Sequence, residues 1–262
     1  MGGRVLKSPA ELEIMDQACR IVLEILDRIA DVIEPGTTTM DIDRISEERI
    51  REIGAKPAFK GYPHPGGGSE FPGTACTSVN SEVVHGIPSK HVVLRDGDIV
   101  SVDMGVLYKG YYGDSARTFP VGTISDDAQT LLDVTKKSLD MAIQQVRLGN
   151  RVSDIGHAVQ THVEQHGFSV VREFVGHGIG SALHEEPQVP NFGAPGRRER
   201  LEEGLVLAIE PMVNMGSPEV MHSKDGWTTR TRDNSLSAHF ELCVAVTADG
   251  PKVLGGASVL AG

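Results

Sequence analysis

The sequence predicts an α+β fold in which one domain, residues 1–262, is assembled from two related halves. Three observations predict it. Helix-period apolar runs come in two pairs, strand-like runs follow each pair, and a weak internal repeat relates the two halves.

After a short N-terminal segment, residues 1–7, Ser8-Pro9-Ala10-Glu11 offers an N-cap, a proline at N1 and a capping-box glutamate. Leu12, Met15, Cys19, Val22, Leu26, Ile29 and Ile33 recur at helical spacing, so a first helix is expected to run until Pro35-Gly36. A second is expected over 39–53, with Ile42, Ile45, Ile50 and Ile53 on one side. Residues 57–73 are rich in proline and glycine, and Gly66-Gly67-Gly68 reads as loop. Strand signals follow at Val83-Val84, 99–106 and 111–121. Helices are expected again over 126–147 and 153–166, and from Ser169 onward the pattern is strands and turns.

The repeat comes in two blocks. "LRDGDIVSVD", ending at Asp103, resembles "LEEGLVLAIE", ending at Glu210, with Leu94/Leu201 and Gly97/Gly204 in register. "PGTTTMDI" from Pro35 resembles "LGNRVSDI" from Leu148, and Ile50 and Gly54 then match Val163 and Gly167. Two blocks in the same order at similar offsets point to duplication, with each half ending a strand in a carboxylate.

Hydrophobic residues make up 39% of the chain, enough for a sizeable core, and the net charge is −11. That charge argues against a nucleic-acid or anionic-membrane binder, since both need a basic surface. Cys19, Cys76 and Cys243 are odd in number and widely separated, which suits a reducing compartment better than a disulfide framework. The opening residues do not form a secretory signal, Leu6 stands where a myristoylation signal wants Ser or Thr, and no apolar run approaches a membrane span. A cytoplasmic protein without membrane contact is expected.

Asp103 lies in "SVDMGVLYKGYYGDSARTF", where Val100, Val102, Met104 and Val106 alternate with Ser101, Asp103 and Gly105. A four-residue hairpin loop at 107–110 places Asp103 directly opposite Asp114. Glu210 and Glu241 are equidistant from Asp225-Gly226, a hairpin signal that sets them opposite one another. Facing carboxylates repel unless cations neutralise them, and a cluster of hard oxygen ligands can bridge two divalent ions. His177 sits among Gly176, Gly178 and Gly180, and His184 follows in the same stretch. His85 closes a strand before a turn and is ambiguous by itself, and the remaining histidines carry no comparable context. No H-E-x-x-H, G-x-S-x-G, phosphate loop or dinucleotide fingerprint is present, so nucleophilic serine or cysteine catalysis has no support.

"VDMGVLYKGYYGDSARTF", "GHGIGSALHEEP", "AIEPMV" and "DGWTTRTRDNSLSAHFE" together resemble type I methionine aminopeptidases of peptidase family M24, over nearly the whole chain from about Ser8. The resemblance implies the pita-bread fold, a curved antiparallel sheet flanked by helices with internal pseudo-twofold symmetry. It implies two divalent metal ions (cobalt, manganese, iron or zinc) held by Asp103, Asp114, His177, Glu210 and Glu241, with Asp114 and Glu241 bridging. It further implies a two-metal activated-water mechanism in which Glu210 shuttles the proton and His85 and His184 contact substrate and stabilise the tetrahedral intermediate. Tyr62, Phe71, Cys76 and Trp227 would line the methionine pocket. Nascent polypeptides beginning with Met would be the substrates, preferentially with a small second residue, processed by a monomer in transient association with the ribosome. The sequence departs from the family pattern at Leu183 and Phe71, where aromatic and tyrosine residues are usual, and in a longer segment between Tyr62 and Phe71. Xaa-Pro peptidases of the same fold usually carry a further N-terminal domain, and only about 100 residues precede Asp103 here. Only 32 residues separate His177 from Glu210, which favours type I over type II.

Overall fold

The structure is a computed structural model and describes residues 5–256. Residues 1–4, on which part of the reading of the chain's opening rests, lie outside the described residues. Helix α1 spans Pro9–Ala30 and opens with the expected capping box, Ser8 and Glu11 each accepting from the other's backbone N–H. It stops short of the expected end. Pro35 disfavours a helical Glu34, and beyond it Gly36 turns at φ 103° and donates its N–H to the Leu94 carbonyl. Helix α2, Thr39–Ile53, has the expected bounds, with Thr38 capping and Gly54 ending it in the left-handed conformation. Helices α3, Asp126–Ile143, and α4, Val152–Gln165, complete the set. Past Ile143 the chain tightens into turns closed by Gln145 and Val146, where the sequence suggested four more helical residues.

Among the described residues, nine strands form one antiparallel sheet. Its main path runs Lys56–Pro57, Ile99–Tyr108, Tyr111–Pro120, Glu241–Thr247, Val206–Ile209, Gly176–Gly178 and Glu185–Val189. Ala75–Val79 also pairs with Ile99–Tyr108, and Gly250–Val253 with Glu241–Thr247. The two halves meet where Leu242 pairs with Ser115 and Glu241 with Ala116.

Each half has its own apolar core. Val22, Ile25, Leu26 and Ile29 of α1 and Ile42 and Ile50 of α2 pack on Val100, Val102, Met104 and Val106. Leu131, Leu139 and Ile143 of α3 and Ile155, Val159 and Val163 of α4 pack on Leu207, Ile209 and Val244. Met15 and Cys19 join Val206, Cys243 and Ala245 in a smaller cluster between them.

The repeat is real in three dimensions. The Leu94 N–H donates to the Thr37 carbonyl, and the Leu201 N–H donates to the Asn150 carbonyl at the matching positions of the second half. Gly97 and Gly204 both hold positive φ, 92° and 85°, at the entrance to the two carboxylate-bearing strands. Among the described residues no helix is long and apolar enough to cross a membrane.

Candidate metal centre and substrate cavity

The hairpin between the first two long strands is tighter than the four-residue loop the sequence suggested. Tyr108 pairs with Tyr111 across a two-residue Lys109-Gly110 turn, with φ 49° and 87°. Both turn positions need positive φ, and a lysine ahead of the glycine is a weaker signal for that than asparagine or aspartate. The register therefore shifts by two residues. Asp114 lies opposite Gly105, and Asp103 opposite Ala116. A two-residue slip keeps side chains on the same face, so the two aspartates stay diagonal neighbours on it. In the second half Ile209 pairs with Leu242, a register that brings Glu210, the next residue, alongside Glu241 as expected. Cys76, Asp103, Ala116 and Glu241 thus form a row across four adjacent strands.

Asp114, His177 and Glu241 are buried and each offers a ligand atom, all within 4.8 Å of one another. Glu210 joins through its Oε1, 3.6 Å from His177 Nε2. Asp103 lines the same cavity beside them. His177 Nδ1 lies 2.9 Å from the Gly178 carbonyl, so Nδ1 carries the ring proton and Nε2 is left with a free lone pair. Gly178 is constrained by the neighbouring strand, where an added Cβ would fall 2.4 Å from the Glu186 carbonyl oxygen.

These residues suit a divalent cation. Asp103 Oδ1, Asp114 Oδ1 and Glu241 Oε1 are buried with no hydrogen-bond partner among the described residues. Unpartnered buried carboxylate oxygens are costly and call for a cation or a proton. Burial raises the Asp103 carboxyl to about 7. Burial, and then the Asp103 charge, pushes Asp114 and Glu210 well above the usual carboxylate range, and burial followed by Asp114 does the same to Glu241. Burial lowers His177 to about 4, with His184 adding to the effect, so the imidazole is neutral and able to ligate at ordinary pH. Four carboxylates and one imidazole make a hard donor set that suits manganese, iron, cobalt or zinc.

The cavity has a volume of about 610 Å³, and Tyr62, Phe71, Cys76 and Trp227 all line it, as do His85 and His184. His85 follows the strand Glu82–Val84 with φ 61°, a left-handed conformation uncommon outside glycine. Its ring meets Phe174 edge-on at 5.3 Å, and burial lowers its pKa to about 4. His184 is exposed while lining the cavity, its ring 4.4 Å from the His177 ring and its Nδ1 2.7 Å from the Tyr62 hydroxyl.

Sequence reasoning passed over three residues. Phe59 and Phe174 line the cavity, and their apolar character gave no signal apart from ordinary core residues. His239 was grouped with the uninformative histidines. It is fully buried, and its unpartnered Nε2 stands 3.7 Å from Glu210 Oε2. Its place two residues before Glu241, which puts it on the same face of the chain, was the signal available.

The geometry agrees with the comparisons to known proteins. Residues 13–248 match the model of metallopeptidase family M24. The chain is 50% identical to methionine aminopeptidase 1 of Bacillus subtilis and 49% identical to the methionine aminopeptidase of Clostridium acetobutylicum, in both cases over 95% of this chain and 98% of the relative. The crystal structure of a methionine aminopeptidase from Thermotoga maritima superposes with a TM-score of 0.92 at 43% identity, covering 97% of this chain and 99% of that one. Prolidase from Pyrococcus furiosus shares the fold at 22% identity and a TM-score of 0.75, covering 97% of this chain and 66% of that one. Pita-bread architecture, a divalent-metal donor cluster and sequence identity approaching half over almost all its length agree that this chain belongs to metallopeptidase family M24, among its methionine aminopeptidases.

Proposed function

We propose that the chain hydrolyses the N-terminal methionine from polypeptides, preferentially where the second residue is small, with two divalent ions held by Asp103, Asp114, His177, Glu210 and Glu241. One observation carries the reading: the acidic cluster lines the same cavity as the apolar and aromatic side chains of Phe59, Tyr62, Phe71, Phe174 and Trp227. Bound divalent ions would supply Lewis acidity toward the scissile carbonyl and lower the pKa of the attacking water.

The chain's own residues do the rest. Asp103, Asp114, His177, Glu210 and Glu241 would hold the ions, with Asp114 and Glu241, buried and close to His177, as the ligands that would be shared, and Asp103 and the His177–Glu210 pair as those that would serve one ion each. Glu210, largely buried with its Oε1 3.6 Å from His177 Nε2, is the carboxylate that would take up a proton and pass it to the leaving amine. The Tyr62 hydroxyl lies 2.7 Å from His184 Nδ1, and in the tautomer where the hydroxyl donates, Nε2 carries the ring proton and can meet a developing oxyanion. His85 stays neutral through burial and offers a second polar contact to the substrate backbone. Tyr62, Phe71, Cys76 and Trp227 give a thioether the polarisable, mostly apolar surroundings it favours.

The substrates on this reading are newly made chains beginning with Met, met in the cytoplasm by a monomer of one catalytic domain, in transient contact with the ribosome. The direct test is release of methionine from Met-Ala-Ser by the metal-replete protein, compared with cleavage of an Xaa-Pro peptide. Turnover of the first and not the second is expected; the reverse would transfer the chain to Xaa-Pro hydrolysis.

A further inference from the structure

The segment between Tyr62 and Phe71 is folded about a single side chain. His64 Nδ1 lies 2.9 Å from the Gly66 N–H and 3.3 Å from the Gly68 N–H, both of which donate to it. A nitrogen that accepts twice carries no proton, so the ring proton sits on Nε2, which donates to the Gly226 carbonyl at 2.9 Å. The glycines are needed for this wrap. A Cβ on Gly66 would stand 3.0 Å from His64 Cε1, one on Gly68 3.2 Å from His64 Cγ, and Gly67 holds φ 78°.

The wrapped segment is fastened to the Trp227 hairpin. The His64 and Trp227 rings meet edge-on at 4.8 Å, Trp227 Nε1 donates to the Ser69 carbonyl at 2.9 Å, and Phe71 meets the indole edge-on at 5.3 Å. The base is closed as well, because Gly61 donates to the Phe71 carbonyl and Phe71 to the Tyr62 carbonyl, each at 2.9 Å. Pro65 is exposed to solvent and lines the same cavity as Tyr62, Phe71 and Trp227.

We propose that His64 is a positioning residue: it locks residues 63–70 onto Trp227 as a fixed wall at the cavity mouth, and this wall limits the bulk of the residue following the N-terminal one. The inference rests on the aminopeptidase reading of the site. A wall held by three hydrogen bonds to one imidazole resists displacement by substrate, so a bulky second residue must be rejected there. Discrimination of one or two methylenes at such a surface is worth on the order of tenfold or more.

Two variants test it. In one, His64→Ala, the clamp is removed. In the other, residues 63–70 are replaced by Asn-Gly, which closes the Tyr62–Phe71 base as a two-residue hairpin. The readout is the ratio of kcat/KM for Met-Leu-Ser to that for Met-Ala-Ser, expected to rise about tenfold in both variants, with the gain in KM. Fluorescence of Trp227, the chain's one tryptophan, is expected to shift to the red in His64→Ala and less in His64→Gln, which keeps a donor for Gly226. An unaltered ratio in an active protein overturns the wall. A changed ratio without a fluorescence shift overturns action through Trp227. A wild-type protein inert toward both peptides refutes the aminopeptidase reading and this inference with it.

Discussion

Asp103 and Glu241 are registered partners of the same residue, Ala116, one on each side of it. Adjacent strands lie about 4.8 Å apart, so the two carboxylates straddle a single methyl group on one face of the sheet. The small side chain leaves the space between them open, and Ala116 is itself buried.

Enlarging it closes that space. Ala116→Leu is expected to weaken divalent-metal binding by at least tenfold and to cost about 1–3 kcal/mol through overpacking. Titration calorimetry of the metal-free protein with manganese checks the first and urea unfolding the second. Metal affinity equal to wild type would show that the row is not used for binding.

The pKa pattern dictates how the metal-free protein responds to pH. Asp103, moved from 3.8 to about 7, binds more protons folded than unfolded across that window, as do Asp114, Glu210 and Glu241. Their contribution to stability is present at low pH and lost as pH rises. His85 and His177, lowered to about 4, and His239, lowered to about 3, act oppositely below 6.5, because there the unfolded chain binds more protons. The two sets offset one another between pH 4 and 6.5, and above that window the carboxylates act alone. Chelated protein should therefore lose Tm between pH 6.5 and 8.5, and saturating divalent metal should remove that loss. A flat Tm in chelated protein contradicts the assignment.

Glu210 stands between His177 and His239, 3.6 Å from the Nε2 of one and 3.7 Å from that of the other. Glu210→Gln keeps the shape but removes the proposed proton acceptor, and is expected to lower kcat by roughly 10²–10⁴-fold. His177→Ala removes a proposed ligand and should lose metal affinity as well as turnover, with the far-ultraviolet circular dichroism spectrum retained. Normal turnover by either protein under metal-replete conditions removes that residue from the site.

Helix and strand positions were legible because their signals are local. The Ser8 and Thr38 caps, the Ile42 and Ile50 face and the Ile99–Val106 alternation each sit within a few residues of what they specify. The pairing of Asp103 was not legible to the residue, since it depended on whether Lys109 would accept positive φ. That error did not move the site, because a slip of two preserves the face. His239 was missed for a different reason. Its role depends on Glu210, which is far away in sequence and meets it only through tertiary folding.

Helix α1 rests on the outer side of the hairpin at Gly113, where the helix backbone itself is the neighbour. A Cβ there would fall 2.5 Å from the carbonyl carbon of Ala18 and the nitrogen of Cys19. Backbone cannot rotate out of the way as a side chain can. Gly113→Ala must lift α1 from the sheet and disturb the Met15 and Cys19 cluster, at an expected cost of about 1–3 kcal/mol. Thermal unfolding measures it; a Tm within a degree of wild type would mean the helix has slack that this packing does not suggest.

Lys7 couples the start of the fold to the strand that follows His184. Its backbone N–H donates to the Gly204 carbonyl at 2.7 Å, and its ammonium reaches Glu185 Oε2 at 2.5 Å with both side chains nearly inaccessible to water, 1% and 7% exposed. The other Glu185 oxygen accepts from the Ala182 N–H, so the carboxylate also braces the turn that carries His184. Removing the lysine charge strands a buried carboxylate, which typically costs about 3–5 kcal/mol, whereas removing both charges leaves no unpaired charge, only the Val5 carbonyl without its Lys7 donor. Lys7→Met should therefore be strongly destabilised, and Lys7→Met with Glu185→Gln should recover most of that loss. The turn at 182–185 loosens in the single variant, so its KM for Met-Ala-Ser should rise as well. A double-mutant cycle by urea unfolding decides the matter: additive losses would mean that the pair does not act as a unit.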